Sequence, residues 1–172
     1  MTSWRHSCGV VLQDSHVFSE SLARNIAVED KHIDRTRLRI AARQSNLEEF
    51  IEKLPLKYQT MVGAEGVGLS RGQEQRIFIA RALYKDPSFV FLDEATNSLD
   101  ANNERIITGN LLDFCKGRTV LIVAHRLSTI RHADKIVVLH KGRIVEEGTH
   151  DELCARHGYY YELINNQLIA MG

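Results

Sequence analysis

No apolar run in this chain is longer than the five residues Val120 to Ala124, so none approaches the roughly 20 residues that cross a bilayer. The opening MTSWRHSCGVVLQD also lacks the long apolar core of a secretory leader. Charge of one sign is missing too. The 22 basic and 22 acidic side chains cancel, so no global field favours nucleic acid or an anionic membrane. Cys8, Cys115 and Cys154 are odd in number and far apart, which argues against a disulfide framework and fits a reducing cytosol. The eight histidines include no i, i+4 pair of the kind that binds zinc on a helix; His132/His140 and His150/His157 are spaced otherwise. With no repeat and no low-complexity linker, 172 residues at 44% hydrophobic are expected to form one ordinary domain.

What is present has a clear rhythm. Gly9 to Leu12 reads as a buried strand. Leu38, Ala41, Ala42, Leu47, Phe50, Ile51 and Leu54 then recur at helical offsets until Pro55. A helix through about Lys85, with Ile77, Ala80, Leu83 and Tyr84 on one face, stops at Asp86-Pro87. Phe89 to Leu92 and Thr119 to Ala124 are continuous apolar runs, the pattern of strands covered on both faces. Ile107, Leu111 and Phe114 mark a crossover helix between them, so the spacing predicts a parallel sheet of the α/β class. A short helix near Ser128, strands at Ile136 to Leu139 and Ile144 to Val145 around a Lys141-Gly142 turn, and two closing helices complete the reading. Thr149 to Glu152 has capping-box spacing, and Tyr161, Ile164 and Leu168 stripe the last helix.

Two segments carry candidate chemistry. FVFLDE, Phe89 to Glu94, puts two carboxylates at the carboxyl end of an apolar strand, where ligands sit in open α/β sheets. Asp93 suits a hard cation such as Mg²⁺, and Glu94 suits a group that orients or deprotonates water. Met61 to Gln73, MVGAEGVGLSRGQ, has glycines spaced like a phosphate cradle at Gly63, Gly66 and Gly68, with Ser70 where a hydroxyl ligand would stand. Leu69 occupies the position where such a cradle needs lysine. The other reading takes Ser70 to Gln73, S-x-x-Q, as a helix N-terminus whose N–H groups meet a phosphate from outside.

LSRGQ (Leu69 to Gln73), FLDEATNSLD (Phe91 to Asp100) and IVAHRLSTI (Ile122 to Ile130) occur in the order and spacing of the ATP-binding cassette, or ABC, ATPases, which the chain resembles over nearly its whole length. GRIVEEGTHDEL (Gly142 to Leu153) is similar to the tail of exporter-type cassettes, and in detail the chain as a whole resembles the peptidase-linked bacterial exporters for bacteriocins and other peptides. The resemblance implies a three-layer, RecA-like P-loop NTPase fold with a small helical subdomain. It divides the chain into 1–19 (Q-loop strand and turn), 20–85 (helical subdomain with the signature) and 86–172 (remaining core and closing helices).

It also implies roles. ATP and Mg²⁺ are the ligands. Gln13 senses the metal and the attacking water, in a loop that contacts the transmembrane partner; Asp93 holds Mg²⁺; Glu94 activates water; His125 contacts the γ-phosphate. Ser70, Arg71, Gly72 and Gln73 close over a γ-phosphate held by a second cassette, and Asp100 crosses that interface, or else by its spacing caps the helix that begins at Ala101. Arg71 departs from the family by replacing the first signature glycine. In the family the phosphate-cradling loop precedes the Q-loop, and no GxxGxGK[ST] segment occurs in these residues, so the sheet is expected to be incomplete on its N-terminal side and the chain alone to bind ATP poorly. The implied partners are a transmembrane domain and a second cassette, without nucleic acid, at the cytoplasmic face of the inner membrane as a peripheral component. Two other readings stand beside the exporter: a non-transport ABC ATPase acting on DNA or ribosomes, and a non-catalytic half-site.

Overall fold

The computed structural model describes residues 4–12, 14–28, 30–123 and 130–170, with Arg5 and residues 167–170 as backbone only. It forms two compact units, Met1–Val123 and Ala124–Gly172. In the first, β1 (Cys8–Val11), β2 (Phe89–Asp93) and β3 (Thr119–Val123) make a parallel sheet in the order β1-β2-β3, with Val10 beside Phe91 beside Leu121. Between β1 and β2 run α1 (Leu22–Ile26), α2 (Arg35–Gln44), α3 (Glu48–Glu52) and α4 (Arg71–Lys85); α5 (Ala101–Cys115) is the crossover from β2 to β3. The α/β class and parallel pairing follow from the periodicity.

Because parallel neighbours stand in register and side chains alternate, Val11, Val90 and Leu92 share one face. There they join a core with Ile77, Ile79, Ile107 and Phe114 from α4 and α5. The opposite face departs from the expectation of strands covered on both sides. Val10 is 49% exposed, Leu121 57% and Val123 52%, and the Trp4 ring covers only part of it, against Phe89 and Phe91. The described helices that share the core with this sheet lie on its other face, so among the described residues this face of β2 and β3 is covered only in part. An aligned apolar face of this kind is a surface for association. The chain is therefore expected to self-associate, and Leu121→Lys with Val123→Lys to shift it toward monomer in light-scattering chromatography over a dilution series; a wild-type chain that stays monomeric at every concentration would contradict this.

The second unit is a hairpin under two helices. β4 (Ile136–His140) and β5 (Arg143–Gly148) are antiparallel. Lys141 (φ 48°) and Gly142 (φ 73°) both have positive φ, the requirement of the two-residue turn that matches strand twist. Thr149 caps α6 (His150–Ala155) through the predicted box with Glu152. The start of α7 (Tyr159–Ala170) is capped from β5, whose Glu146 carboxylate accepts the N–H of Tyr159 (3.1 Å) and of Tyr160 (2.8 Å). That approach needs Gly158, since a Cβ there would lie 1.8 Å from Glu146 Oε1. Tyr160 and Ile164 pack with Ile136, Val138 and Leu153, while Tyr161 is half-buried. The predicted stripe was thus one residue off at its first position, because the cap from Glu146 sets the rotation of α7. The side chain of Leu168 and the predicted helix near Ser128 lie outside the described residues.

Candidate functional site

β2 delivers both carboxylates. Asp93 is its last residue, half-buried, and the chain then turns at Glu94, whose φ of 49° is left-handed. A non-glycine residue in that region costs about 1–2 kcal/mol, so its neighbours must hold it. The Glu94 N–H donates to Val123 O on β3 (3.0 Å), and its carbonyl accepts the Asn97 N–H (3.2 Å). Its carboxylate accepts the Asn97 side-chain amide, and the carbonyl of Ala95 accepts the amide of buried Gln75 from α4 (2.8 Å). The nearby Asn97 thus holds the carboxylate, while Gln75, distant in sequence, holds the turn that follows it.

The loop runs on through buried Leu99 to Asp100, which caps α5 as its spacing predicts. Asp100 accepts the Asn103 N–H (3.0 Å) and side-chain amide (2.5 Å). The side-chain bond first, then the backbone bond, hold its carboxyl below the ordinary 3.8. A depressed carboxylate contributes stability that is complete above its unfolded value and is lost as the pH falls through the folded one. Asp100→Asn is therefore expected to lower the thermal midpoint near neutrality, with the gap closing as the pH drops through and below 3.8. Circular dichroism melts over a pH series check this, and a gap that persists in acid would contradict it.

Ser70 caps α4: its Oγ accepts the Gln73 N–H (3.2 Å) while Gln73 Oε1 accepts the Ser70 N–H (2.8 Å). Arg71 opens the helix exposed. Leu69 packs on the core, as an apolar residue there should. The packing of Leu69 speaks against the phosphate-cradle reading of Gly63 to Gly68, and so do two N–H groups that bond within the loop. Gly66 N–H donates to Gly63 O (3.2 Å) and Val67 N–H to Met61 O (2.9 Å). Gly63 and Gly66 serve close passage: a Cβ at Gly66 would sit 2.4 Å from the Met61 carbonyl, and one at Gly63, where φ is 89°, 2.9 Å from Phe18 O.

The first turns of α4 rest on the loop 94–100. A Cβ on Gly72 would come 3.3 Å from Ser98 O. Arg76 donates to Gly72 O (3.2 Å) and Asn46 O (2.7 Å), and Asn46 donates to Asn103, the partner of Asp100 (2.7 Å). Burial lowers the Arg76 pKa, and the charge of Asp100 opposes that shift. Ser70, Gly72 and Gln73 are thus on a helix end that touches the segment between Glu94 and Asp100. Gln13 and His125 lie outside the described residues. Gln75, Asn97, Asn46 and Asn103 were not singled out from the sequence. Gln75 had a signal, since it stands on the apolar stripe with Ile79 and Leu83 at four-residue spacing.

Among the described residues no group of three His, Cys, Asp or Glu could hold a metal ion by itself. Also among the described residues, no helix is long and apolar enough to cross a membrane.

The profile of the ABC transporter family matches residues 1–97. The "Toxin RTX-I translocation ATP-binding protein" of Actinobacillus pleuropneumoniae is 48% identical over 92% of this chain and 23% of its own length. The "ATP-dependent lipid A-core flippase" of Saccharophagus degradans is 47% identical over 95% of this chain and 28% of its own. A solved bacterial Atm1-family ABC exporter with ATP bound superposes with a TM-score of 0.91 at 40% identity, over 97% of this chain and 30% of that one. The chain therefore spans about a quarter of the length of the curated relatives it matches.

Proposed function

Because this chain belongs to the ABC transporter family and its relatives are exporter ATP-binding proteins, we propose that it is the signature-bearing part of a cassette that couples ATP hydrolysis to export. The observation that carries this is the Ser70-capped end of α4 seated on the Glu94–Asp100 loop. The free N–H groups and positive dipole of such a helix end suit a phosphate. In this reading Ser70, Arg71, Gly72 and Gln73 meet the γ-phosphate carried by a second cassette, and Asp100 lies along that interface. Glu94 orients and deprotonates the attacking water, and Gln13 and His125 keep the roles that the family resemblance implies for them. Asp93 holds Mg²⁺, which when bound offsets charge on the β- and γ-phosphates. Residues 20–85 serve as the helical subdomain and 86–172 as core.

The cleft of about 390 Å³ beside β1 and α4, lined in part by exposed Phe18 and Val28, is the surface we assign to the transmembrane partner. That partner places the chain at the cytoplasmic face of the inner membrane as a peripheral component. The relatives' names speak for export over DNA or ribosome work.

A second reading, a half-site that completes a neighbour, is favoured by the self-bonded loop 61–68, which offers no cradle of its own. Both are tested by mixing the chain with an intact cassette and following phosphate release. Stimulation is expected, and Ser70→Arg should abolish it while leaving the circular dichroism spectrum unchanged, because the bulk and charge fill the phosphate's place. By calorimetry the chain alone should bind ATP more weakly than about 1 mM, or less than roughly 4 kcal/mol. Absent stimulation would overturn the proposed role, and micromolar affinity of the chain alone would overturn the half-site reading.

A further inference from the structure

We propose that Gln75 is a positioning residue that fixes the Glu94–Asp100 loop to the phosphate-facing end of α4, so that both ends of the loop are set by the same helix. Its catalytic consequence rests on the function proposed above. The geometry stands independently. Gln75 is 6% exposed, one turn beyond the Ser70 cap, and its amide donates to the carbonyl of Ala95, the residue that follows Glu94. Gly72, on the same turns, packs against Ser98 O near the far end of the loop. On its other side the loop is tied to the sheet through Glu94 N–H and Val123 O.

A polar side chain on an otherwise apolar stripe has to be satisfied. Here the partner is neither helix nor strand backbone but a turn held in left-handed geometry at Glu94. A buried bond of this kind resists displacement, because a separated pair would leave two unsatisfied groups out of water. A shift of α4 on meeting a phosphate would therefore be carried to the turn that aims Glu94. The helix end and the carboxylate turn are two stations of one lever.

The test uses Gln75→Met, which keeps length and apolar bulk and removes the donor. In hydrogen exchange of the full chain, the amides of Glu94, Asn97 and Leu99 are expected to exchange about tenfold faster. Those of Ile79 to Leu83 should quicken less than the loop amides, and the thermal midpoint should fall by roughly 2–5 °C, because the Ala95 carbonyl is left without its donor. With an intact cassette, maximal stimulated phosphate release should fall about tenfold while half-saturating ATP stays within about twofold, since Ser70 to Gln73 are untouched. Unchanged loop exchange, or a uniform rise across the first unit, would overturn the tether. A rise in half-saturating ATP equal to the loss of rate would overturn the positioning role. If wild-type chain gives no stimulation, the function above fails by itself, and the exchange pattern still decides on the tether.

Discussion

Asn25→Ala is expected to destabilise the first unit by about 3 kcal/mol. Asn25 is fully buried and ties the chain entering α1 to the helix itself. Its Oδ1 accepts the Phe18 N–H (2.8 Å), and its amide donates to the carbonyls of Phe18 (2.9 Å), Glu20 and Ser21 (both 3.2 Å). Arg81 of α4 completes the cluster, donating to the Asn25 carbonyl (2.5 Å) and Oδ1 (2.9 Å) between the rings of Phe18 and Phe78. Burial pulls the Arg81 pKa down to about 10, so this guanidinium already bears a desolvation cost that its partners offset. Alanine would leave Phe18 N–H and part of Arg81 without acceptors, and each orphaned buried group costs about 1–3 kcal/mol. Asn25→Asp keeps the acceptor but turns an oxygen toward carbonyls, so it too should destabilise, though less, with Arg81 beside it. Urea midpoints at constant slope measure both. An alanine variant within about 0.5 kcal/mol of wild type, the ordinary range for surface changes, would refute the assignment of this hub.

Ile77→Ala should cost about 4 kcal/mol, within the range for emptying a packed site. Ile77 is fully buried on a helix that also buries Phe78, Ile79, Ala80, Ala82, Leu83 and Tyr84. The residues of α4 that line the cleft are Phe78, Arg81, Ala82, Tyr84 and Lys85, and Ile77 is not among them. α4 is enclosed by β1, α1 and α2, so the vacated volume stays open. Ile77→Val should cost about 1 kcal/mol, which keeps the comparison readable if the alanine variant does not fold. Equal small losses from both would mean that the site relaxes and that α4 is not the rigid element the Gln75 tether requires.

The two predictions mark where the sequence was readable and where it was not. Periodicity placed Ile77, Ala80, Leu83 and Tyr84 on one face of α4, and all are buried. It missed Phe78, Ile79 and Ala82, because the number of faces a helix buries depends on how many elements surround it. Asn25 looks like any polar residue in a helical segment. Its importance arises from three carbonyls before α1 and from Arg81, which stands 56 residues away.

By itself the sequence determined what depends on residues within a few positions of each other. The Ser70, Asp100 and Thr149 caps, the turn at Lys141-Gly142, the strand ending in Asp93-Glu94 and the order of family segments are of this kind, since short-range geometry and backbone hydrogen bonding suffice to specify them. Only the tertiary structure decided which sheet face is left bare, that Gly63 and Gly66 serve close backbone passage, and that Gln75 reaches the carbonyl beside Glu94. Those outcomes depend on which distant groups arrive at one place and exclude water from it, and no local pattern encodes that arrival.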